Sequence, residues 1–314
     1  MGKTAFLFPG QGSQAIGMGI TAAAENKVAQ AVLTEADEAL GFSLSDLMKN
    51  GPEEELKKTA NAQPALLTVS TAVLQLFSES GLQPDYVAGH SLGEYSALVA
   101  ANVIDFKDAV SVVRKRGELM EAAVPAGEGG MAAVMGMNRE DLQAVVSEVN
   151  AEGNPVQLAN LNGPNQIVIS GSANGIKEAG ERAKEEGARR VVPLNVSGPF
   201  HSPLMKPARE QLQDVLAPVS FRNSEVPVVM NASASTATDA ETLKEALVTQ
   251  VTAPVLWEDS IRFLLEDGVD TFIEIGGGQV LSGLVKKIQR RGVEVFSVEN
   301  QADLDAVLNA KEGS

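Results

Sequence analysis

Short apolar runs alternate along most of the chain with longer stretches of helical period. T-A-F-L-F (4–8), D-Y-V-A-G (85–89), V-P-V-V-M (226–230), T-F-I-E-I (271–275) and V-E-V-F-S (293–297) are each the length of one strand. Between them lie stretches that read as helix: 22–40, the apolar 64–77 closed by Gly81, 106–123, a run from about 203, 240–250, 257–266 and 279–289. A strand that is apolar at consecutive positions must be covered on both faces. Strand–helix alternation provides the cover by packing helices on both sides of a mostly parallel sheet. The expected fold is therefore α/β, with function gathered at the carboxyl ends of the strands.

Residues 127 to 195 break this rhythm. A glycine-rich entry leads to the strand M-A-A-V-M-G, a helix over 138–150, the strands V-Q-L-A-N and Q-I-V-I-S around an N-G-P-N turn, a helix over 173–186 and the strand R-R-V-V-P-L. The order βαββαβ is that of a ferredoxin-like unit. The chain is thus read as a large α/β subdomain, 1–126 and 196–314, carrying a small inserted ferredoxin-like subdomain, 127–195.

Inventory excludes several chemistries. There is no cysteine, so disulfides, thiolate metal sites and a cysteine nucleophile are ruled out, and two histidines make a multi-histidine metal centre unexpected. The formal net charge of -16 argues against a nucleic-acid binder, and means that an acidic partner must dock on a local basic patch. The N-terminal apolar run is too short for a signal peptide and no segment reaches membrane-spanning length, so a cytoplasmic location is expected. G-Q-G-S-Q-A (10–15) fits the letters of a dinucleotide fingerprint. The helical reading of 22–40 leaves no room for the second strand and acidic residue which that fold requires.

V-A-G-H-S-L-G-E-Y (87–95) places G-x-S-x-G between a strand and a helix. This is the setting of a nucleophile elbow, where flanking glycines allow a strained, closely packed turn to expose a serine. Ser91 is the candidate nucleophile; a turn with a capping serine has the same letters. A serine hydroxyl needs a base, and histidine is the usual one. His90, adjacent to Ser91, should point away from it. His201, in the loop N-V-S-G-P-F-H-S-P, remains as the base if Ser91 is activated.

On the helix from Phe106 to about Ala123, Phe106, Ala109, Val113, Met120 and Ala123 trace a buried stripe, and Arg116 fills its missing position. Arg114 and Lys115 fall off the stripe and are expected in solvent. An inward guanidinium needs a carboxylate, either from the protein itself or from a substrate. Near the C-terminus, V-K-K-I-Q-R-R places Lys286, Lys287, Arg290 and Arg291 at i, i+1, i+4 and i+5, one face of a helix, which forms either a docking face for an acidic protein or a solvated helix end.

Six separated motifs together give a family resemblance. F-P-G-Q-G-S-Q (8–14), N-A-Q-P-A-L (61–66), G-H-S-L-G-E-Y-S-A-L (89–98), R-G-E-L-M-E-A-A-V-P (116–125), P-F-H-S (199–202) and Q-V-T-A-P-V-L-W (250–257) occur in order across nearly the whole chain. The chain closely resembles malonyl-CoA:acyl carrier protein transacylases of type II fatty acid synthesis. The resemblance implies an α/β-hydrolase-like large subdomain with a ferredoxin-like insertion. It implies Ser91 as the acylated nucleophile, His201 as base, Gln250 as the group that orients the histidine, and the backbone N–H groups of Gln11 and Leu92 as the oxyanion hole. Arg116 would grip the malonyl carboxylate and Gln63 would line the pocket. Phe200 and Leu92 fit malonyl over methylmalonyl. Malonyl-CoA and an acyl carrier protein are the implied partners, with no metal or redox cofactor. One departure is G-G-G-Q-V-L (276–281), where relatives often have G-P-G-x-V-L; loss of that proline is expected to loosen the loop before the basic helix. Two other classes share some of these features: a serine hydrolase with water as acceptor, and a non-catalytic carrier-docking module.

Overall fold

The computed structural model describes residues 2–312. Its larger sheet has six strands in the order β10 (Glu294–Val298), β9 (Val269–Ile275), β1 (Lys3–Phe8), β2 (Tyr86–Gly89), β7 (Val228–Met230) and β8 (Ser235–Ala237). All neighbours are parallel except β7 and β8. Side chains alternate across the pleat, so Phe6 and Phe8 enter one apolar cluster while Ala5 and Leu7 enter another on the opposite face. Burial on both faces accounts for the unbroken apolar run of β1.

The smaller sheet is antiparallel, ordered β4 (Val156–Gly163), β5 (Gln166–Ser172), β3 (Gly129–Met135) and β6 (Arg190–Pro193). With helices Arg139–Ala151 and Ala173–Glu185 between strands, this is the ferredoxin-like order. It has its own core, including Val134, Leu142, Val146, Ile169 and Ala179. A short bridge fastens it to the large unit: Val255 N–H donates to the Ala159 carbonyl at 2.8 Å, and Leu161 N–H donates to the Val255 carbonyl at 2.9 Å.

Register brings the carboxyl ends of three parallel strands together. Phe8 lies beside Gly89, and Ala88 beside Val229. The loop after β1, the elbow after β2 and the residue after β7 therefore emerge side by side.

Four local readings change. The stretch 22–40 is two helices, Ile20–Glu25 and Lys27–Leu40, because Asn26 leaves helical geometry and caps the second through Val28 and Ala29 N–H. The apolar helix starts at Thr59, before Pro64 rather than at it. Proline has no N–H to give the carbonyl four residues back, and Arg114 Nη1 donates to that Ala60 carbonyl at 3.0 Å instead. Arg114 is thus turned toward the protein, while Lys115 is exposed. Finally, the short antiparallel edge strand β8 carries no apolar pattern that would announce it.

Candidate active site

β2 ends at Gly89 and the helix Gly93–Ala100 begins four residues on, so the chain must reverse within Ser91 and its neighbours. Ser91 does so with φ 52°, a left-handed conformation that non-glycine residues seldom adopt. The glycines on either side are required by contact. A methyl group at Gly89 would lie 1.9 Å from the Gly93 carbonyl carbon, and one at Gly93 would lie 2.0 Å from the Phe8 carbonyl oxygen. The loop after β1 comes equally close, since a methyl group at Gly10 would lie 2.3 Å from the His90 carbonyl oxygen. Gln11 is thereby brought next to the elbow. Neither its N–H nor that of Leu92 donates to an acceptor among the described residues, which leaves both open to a ligand oxygen.

His201 arrives from the opposite side on a loop tied by Ser202 Oγ, which donates to the Pro199 carbonyl at 2.6 Å. Its backbone is also left-handed, with φ 57°. Nδ1 lies 2.9 Å from the Gln250 backbone carbonyl, which can only accept, so Nδ1 carries the proton. Nε2 is then the bare nitrogen, 2.8 Å from Ser91 Oγ and placed to accept its proton. Burial, with the Arg116 charge adding to it, pushes His201 down to about 3, so the imidazole is neutral at pH 7. Gln250 thus orients His201 through its backbone and not its side chain.

The Gln250 side chain has other partners. Its Oε1 accepts from Arg116 Nη2 at 2.8 Å and its Nε2 donates to the Ser91 carbonyl at 2.9 Å. Arg116 is fully buried on the predicted stripe of the helix Phe106–Ala122. Its Nη1 donates to Gln63 Oε1 at 2.7 Å and its Nη2 also reaches Ser91 Oγ at 3.3 Å. No carboxylate forms an ion pair with it among the described residues; Glu94 acts on it only as a neighbouring charge. Its Nε has no hydrogen-bond partner there. Burial lowers the Arg116 pKa from the usual guanidinium range. The fork is thus held by two neutral carboxamides, which accept from Nη1 and Nη2 without cancelling its charge and leave Nε unpartnered, and it lies against the nucleophile's oxygen.

Phe200 is buried one residue before the base. His90 points away from Ser91 as expected, with Nε2 2.8 Å from Asn162 Oδ1 and its ring against Trp257. The basic group is not brought together as predicted. Lys286 and Lys287 end the helix Val280–Ile288, but Gln289 turns extended, so Arg290 and Arg291 lie beyond the helix and off its face. All four are exposed, and Lys287 Nζ donates to Gln166 Oε1 at 2.8 Å. The G-G-G loop before this helix is tied at Gly278, whose N–H donates to Glu299 Oε1 at 2.9 Å. No cluster of metal-ligating side chains occurs among the described residues, and no helix there is long and apolar enough to cross a membrane.

A serine and a neutral histidine in hydrogen-bond contact, two free N–H groups beside them and a buried cation at the same oxygen suit transfer of an acyl group. The family model described as the acyl transferase domain matches residues 5–302. The chain belongs to the acyl transferase family. It is 59% identical to the malonyl CoA-acyl carrier protein transacylase of Bacillus subtilis (strain 168) over 291 residues, 93% of this chain and 92% of that protein. Among solved acyltransferases it resembles an acyl carrier protein S-malonyltransferase from Vibrio cholerae with TM-score 0.94 and 44% identity, covering 97% of this chain and 99% of that one. A second, a malonyl-transacylase in complex with its type II polyketide synthase acyl-carrier protein, gives TM-score 0.95 and 43% identity over 98% and 99%.

Two residues of the acyltransferase site escaped the sequence reading. Asn231, immediately after β7, is buried and bonded to the elbow. Glu94 is fully buried, and burial pushes its carboxyl up to about 7 against the pull of the Asn231 N–H, which donates to its Oε2 at 2.7 Å. Each left a signal: a polar residue at the carboxyl end of a parallel strand, and a charge inside the apolar helical run G-E-Y-S-A-L-V-A-A.

Proposed function

We propose that the chain carries a malonyl group from CoA to the phosphopantetheine thiol of an acyl carrier protein through a malonyl ester on Ser91, feeding fatty acid chain elongation. His201 Nε2 takes the Ser91 proton as Oγ attacks the thioester carbonyl. The oxyanion is received by the N–H groups of Leu92 and Gln11, each donor being worth on the order of 10² to 10³ in rate. Collapse breaks the C–S bond, His201 returns its proton to the CoA sulfur, and CoA leaves. The carrier thiol then gives its proton to His201 and attacks the ester carbonyl, the C–O bond breaks, and the proton returns to Ser91 Oγ. Protons and acyl group balance over the cycle without a cofactor.

The observation that carries the substrate class is the buried, carboxylate-free fork of Arg116, which donates to Ser91 Oγ at 3.3 Å. With Nη2 3.3 Å from Oγ, a carboxylate bound on that fork would lie close to the reacting carbonyl, which suits a short diacid monothioester. Phe200 and Leu92 fit the malonyl group, and Gln63 belongs to the pocket by its bond to Arg116. For the acidic carrier, Lys286 and Lys287 are the docking cations, with Arg290 and Arg291 reaching it from beyond the helix, in a chain whose overall net charge is -16.

Initial rates with malonyl-CoA and the phosphopantetheinylated carrier test the proposal. Parallel double-reciprocal lines, with free malonate a minor product, are expected. Release of malonate as the main product in the presence of the carrier would make the chain a hydrolase instead.

A further inference from the structure

Ser91 is held in a left-handed conformation, φ 52°, that is strained for a non-glycine residue and persists only where the surroundings impose it. A residue's φ and ψ are set by the two peptide planes on either side of it. In this site each plane is gripped by a separate side chain. Asn231 Oδ1 accepts from the Ser91 N–H at 2.7 Å, which fixes the plane before the nucleophile. Gln250 Nε2 donates to the Ser91 carbonyl at 2.9 Å, which fixes the plane after it. The second plane also carries the Leu92 N–H, antiparallel to that carbonyl across a trans peptide. Holding the carbonyl therefore aims the oxyanion donor.

The Asn231 carboxamide uses both of its ends on the elbow, since its Nδ2 donates to the Gly89 carbonyl at 2.7 Å. Past the β2–β7 ladder, which ends at Ala88 and Val229, this side chain supplies the donor and acceptor that a continuing strand would have given. Asn231 is itself fixed through its backbone. Its N–H donates to Glu94 Oε2 at 2.7 Å and its carbonyl accepts from Leu256 N–H at 2.9 Å. Gln250 Nε2 and Asn231 Oδ1 are 3.4 Å apart, so the two grips form one unit.

We infer that Asn231 is a positioning residue for the nucleophile, its carboxamide locking the peptide plane before Ser91 while Gln250 locks the plane after it and aims the oxyanion donor. The inference rests on the reading of Ser91 as the acylated nucleophile, but not on the identity of the acyl group. An aspartate at this position would keep the acceptor for the Ser91 N–H and lose the donor to Gly89; an alanine would lose both.

The test compares the parent with Asn231→Ala and Asn231→Asp. A fluorophosphonate probe supplies both the titre of competent Ser91 and the rate constant of its modification, and acylation by malonyl-CoA and by acetyl-CoA is followed separately. Per titrated site, kcat for acylation and the fluorophosphonate rate are expected to fall on the order of 10²-fold in the alanine variant, with a smaller fall in the aspartate variant. In the alanine variant, which adds no charge, KM for malonyl-CoA and the malonyl-to-acetyl ratio are expected to stay within about threefold of the parent, because the Arg116 fork is untouched. A purely structural role would lower the titre and leave the rate per site unchanged, and that result in both variants overturns the inference. If the alanine variant does not fold, the aspartate variant, of equal volume, decides by the same rate per site. A parent that reacts with fluorophosphonate but not with malonyl-CoA would overturn the transfer proposal, and the fluorophosphonate rates would still judge Asn231.

Discussion

Gln63→Glu isolates what the neutral grip on Arg116 does, because it changes one nitrogen for one oxygen. In the parent, Gln63 Oε1 accepts from Arg116 Nη1 at 2.7 Å, so the guanidinium is satisfied there while its charge stays available. A carboxylate in that place keeps the hydrogen bond and supplies a counter-ion. At an effective dielectric of about 20, opposite charges about 4 Å apart attract by about 4 kcal/mol, a factor on the order of 10³ in an equilibrium. A malonyl carboxylate must then compete with a built-in partner and approach a second negative charge. Acylation of Ser91 by malonyl-CoA is expected to fall on the order of 10² to 10³-fold, while acylation by acetyl-CoA, which has no carboxylate to place, changes little. Quenched-flow reactions read by intact-protein mass spectrometry measure both rates. Equal losses for the two donors, or full retention of malonyl acylation, would refute the argument that an unneutralised guanidinium selects the substrate.

Three further outcomes are expected. Arg116→Ala removes the fork and should lose malonyl transfer on the order of 10²-fold more than acetyl transfer, as ratios of kcat/KM; equal loss contradicts the clamp. Gly93→Ala drives a methyl group to 2.0 Å from the Phe8 carbonyl oxygen, so β1 and the elbow must separate; thermal unfolding should begin several degrees lower and Ser91 acylation should fall at least about tenfold, and an unchanged melting curve contradicts the contact. The third outcome concerns pH. With His201 held down to about 3, its neutral, base-competent form persists well below its ordinary range as pH falls. In a Glu94→Gln background, which removes the neighbouring carboxyl that titrates at about 7, kcat/KM for acylation should be level from pH 8 to about pH 5. A limb near pH 6.5 would show an ordinary histidine. The two groups act oppositely on stability. His201, lowered on folding, favours the fold above its unfolded value, and that contribution is lost as pH falls toward 3. Glu94, raised on folding, favours the fold below its unfolded value, and that contribution is lost as pH rises through about 7.

The residues proposed to touch the acyl group were legible as candidates in the sequence, because each breaks or completes a local pattern. Ser91 lies where a strand turns into a helix between two glycines, and Arg116 interrupts an apolar stripe of period 3.6. The residues that hold them were less legible. Asn231 is one polar residue after a strand of three, and its importance appears only when β7 is known to lie beside β2. The family motif links Gln250 to His201, yet the backbone carbonyl does that task and the side chain spans Arg116 and Ser91; letters cannot separate a residue's main chain from its side chain. The misplacement of Arg290 and Arg291 has a similar source. Helical spacing was extended through Gln289, where the chain turns extended before Gly292, a residue with φ 77° that helices do not continue through. The fold class followed from strand–helix alternation, whereas β8 and the break at Asn26 depend on contacts and capping with no periodic signature.

The central claim is that Ser91 holds a malonyl group between two thiols. Intact-protein mass spectrometry after addition of malonyl-CoA, and again after addition of the phosphopantetheinylated carrier, measures this directly. A single malonyl adduct on Ser91, stable in buffer and discharged when the carrier arrives with the malonyl mass transferred to it, is the predicted result. An unmodified protein, or an adduct that is lost to water as fast without the carrier as with it, would contradict the account.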